Sequence, residues 1–216
     1  MVRDYTARAG GWSGRPLAGL YRRRVNPTSV GLATRVMRQR VIETVLAAFV
    51  SDPAFRYFFT DDATFRNEAA AFAGHLFDQR VARGTVWVVE DGAAVAMWDP
   101  PRPGDGAAAD GHGNRELDLP PATLDRLERY DAVVDAALPA TPHWYLGILA
   151  THPHHAGRGW GRLTMTAGLE RAAEAGVPAY LETTNERNVE LYQRAGWRIA
   201  ESTAVDDLPI WVMRHG

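Results

Sequence analysis

Residues 151–161, THPHHAGRGWG, combine three histidines with glycines at positions 157, 159 and 161. The stretch follows the strand-like HWYLGILAT at 143–151 and leads into the helical pattern GRLTMTAGLERAAEAG at 161–176. A glycine-rich turn between a strand and a helix leaves amide groups unpaired at the helix N-terminus, where the helix dipole favours an anion. The backbone from Gly157 to Arg162 is therefore predicted to bind a pyrophosphate.

Spacing and residue type also bear on other interpretations of this stretch. The glycines follow G-x-G-x-G rather than the dinucleotide fingerprint G-x-G-x-x-G, and a P-loop needs a lysine, which this chain lacks. A metal site at His152, His154 and His155 would require side chains that converge, and Pro153 directs them apart. A purely structural turn remains possible. The strand at 143–151 could also pair with an extended amide-bearing arm, and coenzyme A joins such an arm to a pyrophosphate.

Strand and helix patterns follow one another outward from the turn. The strand at 143–151, its crossover helix and the strand PAYLETT at 178–184 require a parallel pair in the middle of the sheet. TVWVVEDGAAVAMWD at 85–99 predicts an antiparallel hairpin around Asp91-Gly92. Further patterns predict a strand at 30–34, helices at 35–52, 122–138 and 188–196, a second helical region at 55–84 after a break at Pro53, and strands at 197–205 and 209–215. The predicted fold class is α/β, with mixed strand directions.

Two segments predict little regular structure. Residues 1–26 carry six arginines and one acidic residue without a helical or strand period, which indicates a flexible N-terminal extension. The remaining residues, 27–216, are expected to form one domain. Within it, residues 99–121 are rich in Pro, Gly and Asp and predict a long surface loop.

Composition narrows the classes of function. The 216 residues have a net charge of -2, so no global basic surface is available to bind nucleic acid. No apolar run approaches the ~20 residues of a membrane span, and the N-terminus lacks the apolar core of a signal peptide, so a cytoplasmic location without a membrane partner is expected. The chain contains neither cysteine nor lysine. A cysteine nucleophile, a thiolate metal site and a lysine Schiff base are therefore excluded.

Two motifs resemble the GNAT N-acetyltransferases. That family has [QR]-x-x-G-x-[GA] before a helix, and Ala156-Gly157-Arg158-Gly159-Trp160-Gly161 matches it except at Ala156, which replaces Gln or Arg. The second motif, N-x-x-[AN]-x-x-L-Y-x-x-x-G-[FW], matches Asn185 to Trp197. The resemblance covers roughly residues 30 to 214. It implies the GNAT fold, a mostly antiparallel sheet with a central parallel pair flanked by helices, and it is closest to puromycin N-acetyltransferase-like enzymes.

The resemblance also implies roles for individual residues. Acetyl-CoA would be the co-substrate, bound by the backbone of Leu149 and Ala150, by residues Gly157, Arg158, Gly159, Trp160, Gly161 and Arg162, and by Asn185 and Asn188. Tyr192 stands at the general-acid position, where its phenol can donate to the departing sulfur. Glu182 could accept the proton of the amine, with His152 as the alternative base. No metal is expected, because direct transfer needs none.

The expected activity is acetyl transfer from acetyl-CoA to the primary amine of a small molecule, in antibiotic or natural-product self-resistance or tailoring. The aromatic residues 55–59 and the loop 99–121 would shape the pocket for this amine. A protein or peptide N-acetyltransferase and a non-catalytic acetyl-CoA-binding module are the alternatives. The expected assembly is a monomer or a homodimer.

Overall fold

The structure, a computed structural model, describes residues 29–101 and 117–216. The expectations for the N-terminal extension 1–26, and for most of the loop 99–121, lie outside these residues. Seven strands and six α-helices are found in the described part of the chain. The strands are β1 Val30–Leu32, β2 Val86–Val89, β3 Ala94–Asp99, β4 Trp144–Thr151, β5 Ala179–Thr183, β6 Arg198–Val205 and β7 Leu208–His215. The helices are α1 Arg38–Phe49, α2 Pro53–Phe58, α3 Phe65–Val81, α4 Pro121–Ala137, α5 Trp160–Glu174 and α6 Glu186–Arg194.

All seven strands form one mixed sheet in the order β1-β2-β3-β4-β5-β7-β6. Only β4 and β5 run parallel, and every other neighbouring pair among the described strands is antiparallel. This confirms the predicted fold class. The parallel pair arises because α5 returns the chain across one face of the sheet between β4 and β5.

Helices cover both faces of the sheet. Helices α1, α2, α3 and α4 pack on one face around a core rich in Phe, whereas α5 and α6 pack on the other face around four buried tryptophans. The tryptophans are Trp87, Trp98, Trp144 and Trp197. Helix α5 approaches β3 closely because Gly168 lies directly against the indole of Trp98. None of the helices in the two described segments is both long and apolar enough to span a bilayer.

The parallel pair separates where the sheet would otherwise continue. Strands β4 and β5 pair only at residues 144–146 of β4, although β4 continues to Thr151. At the same level β4 contains a bulge, because Trp98 faces Leu146 and Met97 faces Ile148, which leaves Gly147 without an opposite residue. A bulge bends its strand. The result is a cleft between β4 and β5 in the middle of the sheet.

The segment 55–84 differs from its prediction as a single helical region after Pro53. The Asp52 side chain accepts hydrogen bonds from the N–H groups of Ala54 and Phe55, so α2 starts at Pro53. Phe59 then leaves the helical region of φ/ψ space and ends it. A turn in which Asp61 accepts from the Ala63 N–H separates α2 from α3. Two helices therefore form.

Candidate active site

The turn between β4 and α5 presents a row of backbone amides. Gly157 and Gly159 have φ angles of +77° and +74°, in the left-handed region that glycine enters without steric cost. The first backbone hydrogen bond of α5 runs from the N–H of Leu163 to the carbonyl of Gly159, over 3.1 Å. For the amides of residues 157–162, no acceptor is found within the described segments. The turn can therefore accept an anionic group at the helix N-terminus.

The third glycine of the turn has a packing role. A Cβ at Gly161 would lie 3.0 Å from Oγ1 of Thr151, so this glycine lets α5 approach the end of β4. The structural interpretation of the turn thus applies to Gly161. Around Gly157 and Gly159, in contrast, the space is open, and only their backbone angles require glycine.

The side chains of the turn are held by an aromatic stack. The indole of Trp160 is buried, with the ring of His155 stacked on it at 4.9 Å and the guanidinium of Arg158 at 5.1 Å from its centroid. Burial, together with the positive charge of Arg158, lowers the pKa of His155. Arg158 and Arg162 are exposed and supply positive charge at the same helix end.

A cavity of about 320 Å³ occupies the cleft between β4 and β5. Its walls come from α1 to α4 on one side, and from β4, β5 and the start of α6 on the other. Five residues expected in the site line it: Leu149, Glu182, Asn185, Asn188 and Tyr192. Residues that are far apart in the chain thus meet at one point, where the central strands separate.

Glu182 is partly buried in this cavity and is held by two phenols. Tyr145 on β4 donates a hydrogen bond to Oε2 of Glu182 on β5, and Tyr130 on α4 also hydrogen-bonds this carboxylate. Burial, reinforced by the negative charge of Glu182, raises the pKa of both phenols well above its ordinary value. Both tyrosines therefore remain donors at neutral pH. The carboxylate keeps a defined position beside the cleft.

Tyr192 lies on α6 with its ring buried against Trp197, at 6.1 Å between ring centroids. Burial raises the pKa of its phenol, and the charges of Glu182 and Asp52 raise it further. Within the described residues its hydroxyl has no hydrogen-bond partner. A protonated phenol at the cavity wall can donate to a leaving group.

Leu149 and Ala150 differ in the direction of their amides. The N–H of His152 donates to the carbonyl of Ala93 on the β3 side, and backbone groups alternate along an antiparallel strand. The amide of Ala150 is therefore directed to β3, and that of Leu149 to the cleft. Leu149 lines the cavity whereas Ala150 does not.

The two asparagines stabilise the β5–α6 turn as well as lining the cavity. Oδ1 of Asn185 accepts from the N–H of Arg187 and caps α6. Oγ1 of Thr183 accepts from the N–H of Asn185 at 3.3 Å and from the side-chain amide of Asn188 at 3.5 Å. Their first role is local, since they hold the start of the helix that carries Tyr192.

His152 lies outside the cavity. It caps the short turn Pro153–His155, where its Nδ1 accepts from the N–H of His154, and its ring contacts those of the other two histidines. The structure brings Glu182, and not His152, to the wall that Tyr192 also lines. Among residues 29–101 and 117–216, no three His, Asp or Glu side chains are grouped so that they could hold a metal ion.

Several residues of the site could not be recognised from the sequence. Tyr130 and Tyr145 have the pattern of core residues, and Asp52 and Asp131 have that of helix-end and helix-surface carboxylates. All four line the cavity, together with Phe55, Phe58 and Phe72. Of the aromatic run 55–59, Tyr57 and Phe59 do not line it. The one available signal was an unusual number of aromatic residues, which fits a core equally well.

Helices α2 and α4 are tied together over the cavity. The hydroxyl of Tyr57 on α2 donates to Asp206 in the β6–β7 turn over 2.8 Å, and Arg129 on α4 donates to the same carboxylate over 2.7 Å. Nε of Arg126 donates to the carbonyl of Phe58, and the rings of Phe58 and Tyr130 meet edge to face at 4.9 Å. The outer wall of the cavity is therefore a joined pair of helices.

Comparison with proteins of known structure shows the same fold. A Corynebacterium glutamicum structure described as histone acetyltransferase HPA2 and related acetyltransferase aligns with a TM-score of 0.64 and 24% identity, over 87% of this chain and 94% of that one. A mosquito arylalkylamine N-acetyltransferase-like protein aligns with a TM-score of 0.62 and 15% identity, over 86% of this chain and 98% of that one. An agmatine N-acetyltransferase aligns with a TM-score of 0.62 and 15% identity, over 88% of this chain and 99% of that one.

Sequence comparison agrees with the fold. A mycothiol acetyltransferase of Propionibacterium freudenreichii is 38% identical over 77 residues, which are 34% of this chain and 24% of that protein, so the match spans about a quarter of this relative. The model of the acetyltransferase (GNAT) family matches residues 39–197, which include the glycine-rich turn, the cleft and Tyr192. This chain belongs to the GNAT acetyltransferase family.

Proposed function

We propose that the protein transfers an acetyl group from acetyl-CoA to the primary amine of a small molecule. The observation that carries the proposal is the cavity of about 320 Å³ at the β4–β5 cleft, which brings a carboxylate, Glu182, and a protonated phenol, Tyr192, to one space. Such a volume lies at the small end of ligand pockets. Two proteins of the same fold are named for arylalkylamines and agmatine, which are small amines.

The residues fit acetyl-CoA in two places. The unpaired amides of residues 157–162, with the exposed side chains of Arg158 and Arg162, suit a pyrophosphate. Among the described strands, none pairs with the edge of β4 beyond Leu146 on the β5 side, so an extended amide-bearing arm can pair with it. These two places lead from the helix N-terminus into the cleft. A thioester at the end of the arm would reach the cavity.

The chemistry is a direct transfer between two bound substrates. Glu182 accepts a proton from the ammonium group, and the amine nitrogen then bonds to the thioester carbon while the amide of Leu149 stabilises the oxygen. The C–S bond breaks, and Tyr192 donates its proton to the departing sulfur. The nitrogen loses its second proton to solvent, Glu182 releases the proton that it accepted, and Tyr192 is reprotonated from solvent. No acyl-enzyme forms.

The two alternatives make different demands on the site. A peptide acceptor needs a groove open at both ends, whereas α2 and α4 are joined over this cavity. A non-catalytic acetyl-CoA-binding module would not need the phenol of Tyr192. Self-resistance or tailoring of a natural product, as in the puromycin N-acetyltransferase-like enzymes, remains part of the proposal through the resemblance of the sequence.

The test is a thiol-release assay with acetyl-CoA and three groups of acceptors: puromycin-like aminonucleosides, aminoglycosides and peptides. We expect turnover with a small amine, and Tyr192→Phe is expected to lower kcat by about 10²-fold or more with unchanged acetyl-CoA affinity by calorimetry. Leu191→Ala, an exposed position on the same helix, is the control and should keep kcat. Turnover confined to peptides would overturn the small-molecule assignment. Full activity of Tyr192→Phe would remove the phenol from the mechanism.

A further inference from the structure

Thr184, on the bend that follows β5, carries a buried hydroxyl group that the protein itself does not satisfy. Six threonines are buried in the two described segments, and in five of them Oγ1 forms a hydrogen bond with another protein group: Thr44, Thr85, Thr123, Thr164 and Thr183. Thr184 is 6% exposed, yet its Oγ1 has no hydrogen-bond partner among the described residues. A buried hydroxyl without a partner costs stability.

Packing alone does not account for a threonine at position 184. Valine has nearly the same shape, would fill the same space and would leave no polar atom without a partner. The chain therefore carries the less stable of two residues of equal size at this position. Such local departures from the stable choice are typical of residues that serve a binding or catalytic site. Thr184 also lines the cavity between β4 and β5.

The side chain of Thr184 belongs to the side of the sheet on which Glu182 lies. In the β5–β7 register Glu182 is opposite Val212, which is part of the Phe-rich core, and Thr183 is opposite Trp211, which packs with the tryptophans on the other face. Successive side chains of an extended chain alternate between faces. Thr184 therefore returns to the side of Glu182, in agreement with its place in the lining of the same cavity.

The backbone on both sides of Thr184 is held by hydrogen bonds. Oγ1 of Thr183 accepts from the N–H of Asn185, and Oδ1 of Asn185 accepts from the N–H of Arg187. The freedom that remains to Thr184 is rotation about χ1 between staggered positions. Because Oγ1 is enclosed by the protein, one such rotation is needed to bring it into contact with a bound molecule. A ligand that offers a hydrogen bond supplies the free energy for this rotation.

We propose that Thr184 binds the acceptor, and that its Oγ1 accepts a hydrogen bond from an N–H of the primary amine. The amine nitrogen then has two oxygen acceptors in the cavity, the carboxylate of Glu182 and the hydroxyl of Thr184, two residues apart or about 7 Å along an extended backbone. Two hydrogen bonds fix the orientation of the nitrogen and direct its lone pair at the thioester. This inference rests on the proposed function and names the group that orients the acceptor in the same site.

The test uses Thr184→Val, which removes the hydroxyl and keeps the shape of the side chain. We expect kcat/KM for phenethylamine to fall about tenfold, the effect of one hydrogen bond to a charged group. The affinity for acetyl-CoA, measured by calorimetry, should not change. The midpoint of urea unfolding should be equal or higher, because the unpaired hydroxyl is gone. Thr184→Ser retains the hydroxyl and should retain most of the activity.

Thr44→Val is the matched control. Thr44 is also buried, but its hydroxyl donates to the carbonyl of Gly92 over 2.7 Å, and the residue does not line the cavity. Thr44→Val should therefore lower the midpoint of urea unfolding and leave kcat/KM unchanged. The two valine variants are thus expected to have opposite effects, activity lost at one position and stability lost at the other.

A second acceptor tests the contact with the amine directly. The neutral form of phenethylamine has two N–H groups, whereas that of N-methylphenethylamine has one. Thr184→Val should therefore lower kcat/KM more for the primary amine and reduce the preference for it several-fold. A structural role of Thr184 would lower kcat/KM for both amines equally. If the acceptor assay identifies a better primary amine, that amine and its N-methyl derivative take the place of this pair.

The outcomes separate this inference from the proposed function. Unchanged kcat/KM in Thr184→Val, equal losses with the two amines, or a lowered urea midpoint would overturn the role of Thr184 and leave the acetyltransferase proposal standing. Weaker binding of acetyl-CoA with an unchanged preference between the amines would overturn it as well, because the hydroxyl would then contact the co-substrate. Acetylation of peptides alone would overturn the proposed function and this inference with it.

Discussion

Tyr145 on β4 donates a hydrogen bond to Glu182 on β5, although Tyr145 faces Tyr180 in the parallel register and Glu182 lies one residue beyond the last pair, Leu146 and Leu181. The bond therefore crosses the point where the two strands separate. It connects the wall of the cleft to the carboxylate that we propose as the base.

The first prediction concerns the acid side of the pH profile. Tyr145→Phe removes one donor from the carboxylate of Glu182, so protonation of that carboxylate becomes easier. The acid limb of kcat at saturating substrates should therefore move to higher pH, because the charged form of the carboxylate loses a hydrogen bond. Tyr180→Phe, a buried tyrosine on β5 outside the cavity, should leave the limb in place. An unmoved limb in Tyr145→Phe would argue against Glu182 as the base.

The second prediction concerns stability at alkaline pH. The pKa values of Tyr130, Tyr145 and Tyr192 are raised in the folded protein, so above the ordinary phenol pKa the unfolded chain loses protons that the folded chain retains. This contribution to stability is complete below about pH 10 and is lost above it, by about 1.4 kcal/mol per pH unit for each phenol. The free energy of unfolding, measured with urea between pH 9 and 11.5, should fall less steeply with rising pH in Tyr145→Phe than in the unchanged protein. An equal dependence of the free energy of unfolding on pH in the two proteins would contradict this prediction.

The third prediction separates backbone strain from anion binding at the glycine-rich turn. Gly159→Ala forces alanine to a φ of +74° and should cost about 1 kcal/mol in stability and raise the KM for acetyl-CoA about tenfold. Gly84→Ala is a matched control, because Gly84 has a φ of +68°, open surroundings and no contact with the cleft. It should lose similar stability with unchanged KM. A raised KM in both variants would mean that the turn has no specific role.

The fourth prediction compares two buried helical glycines. In Gly168→Ala the new methyl group would overlap the indole of Trp98, which is fully buried and cannot move aside, so we expect a loss of 1–3 kcal/mol (roughly, for overpacking). In Gly74→Ala the methyl group meets mainly the end of the Arg38 side chain, which is half-exposed and can shift at the expense of its ion pair with Asp78, and the helix gains up to about 1 kcal/mol in propensity. Denaturant unfolding should therefore give opposite signs. Equal changes in the free energy of unfolding in the two variants would mean that Trp98 does not limit how closely α5 packs on the sheet.

Local patterns in the sequence predicted most of the fold. The strand before residue 152, the glycines of the turn and the helix after them can be recognised because each depends on neighbours within a few residues. The parallel pair β4–β5 followed from the same order of elements, since a strand, a helix and a strand leave no other connection. The pattern of residues 55–84 did not predict their division into two helices, because the caps that divide them compete with a continuous apolar pattern.

The sequence by itself thus determined the individual strands, the central parallel pair and the position of the glycine-rich helix start, because these depend on local conformational preferences and short connections. Only the tertiary structure decided which side chains share the cleft. Asp52, Tyr130, Tyr145 and Glu182 lie on four different elements, and their meeting depends on how α2 and α4 pack over the separated strands. The same is true of the backbone: the bulge at Gly147 and the register with β3 direct the amide of Leu149, rather than that of Ala150, into the cleft.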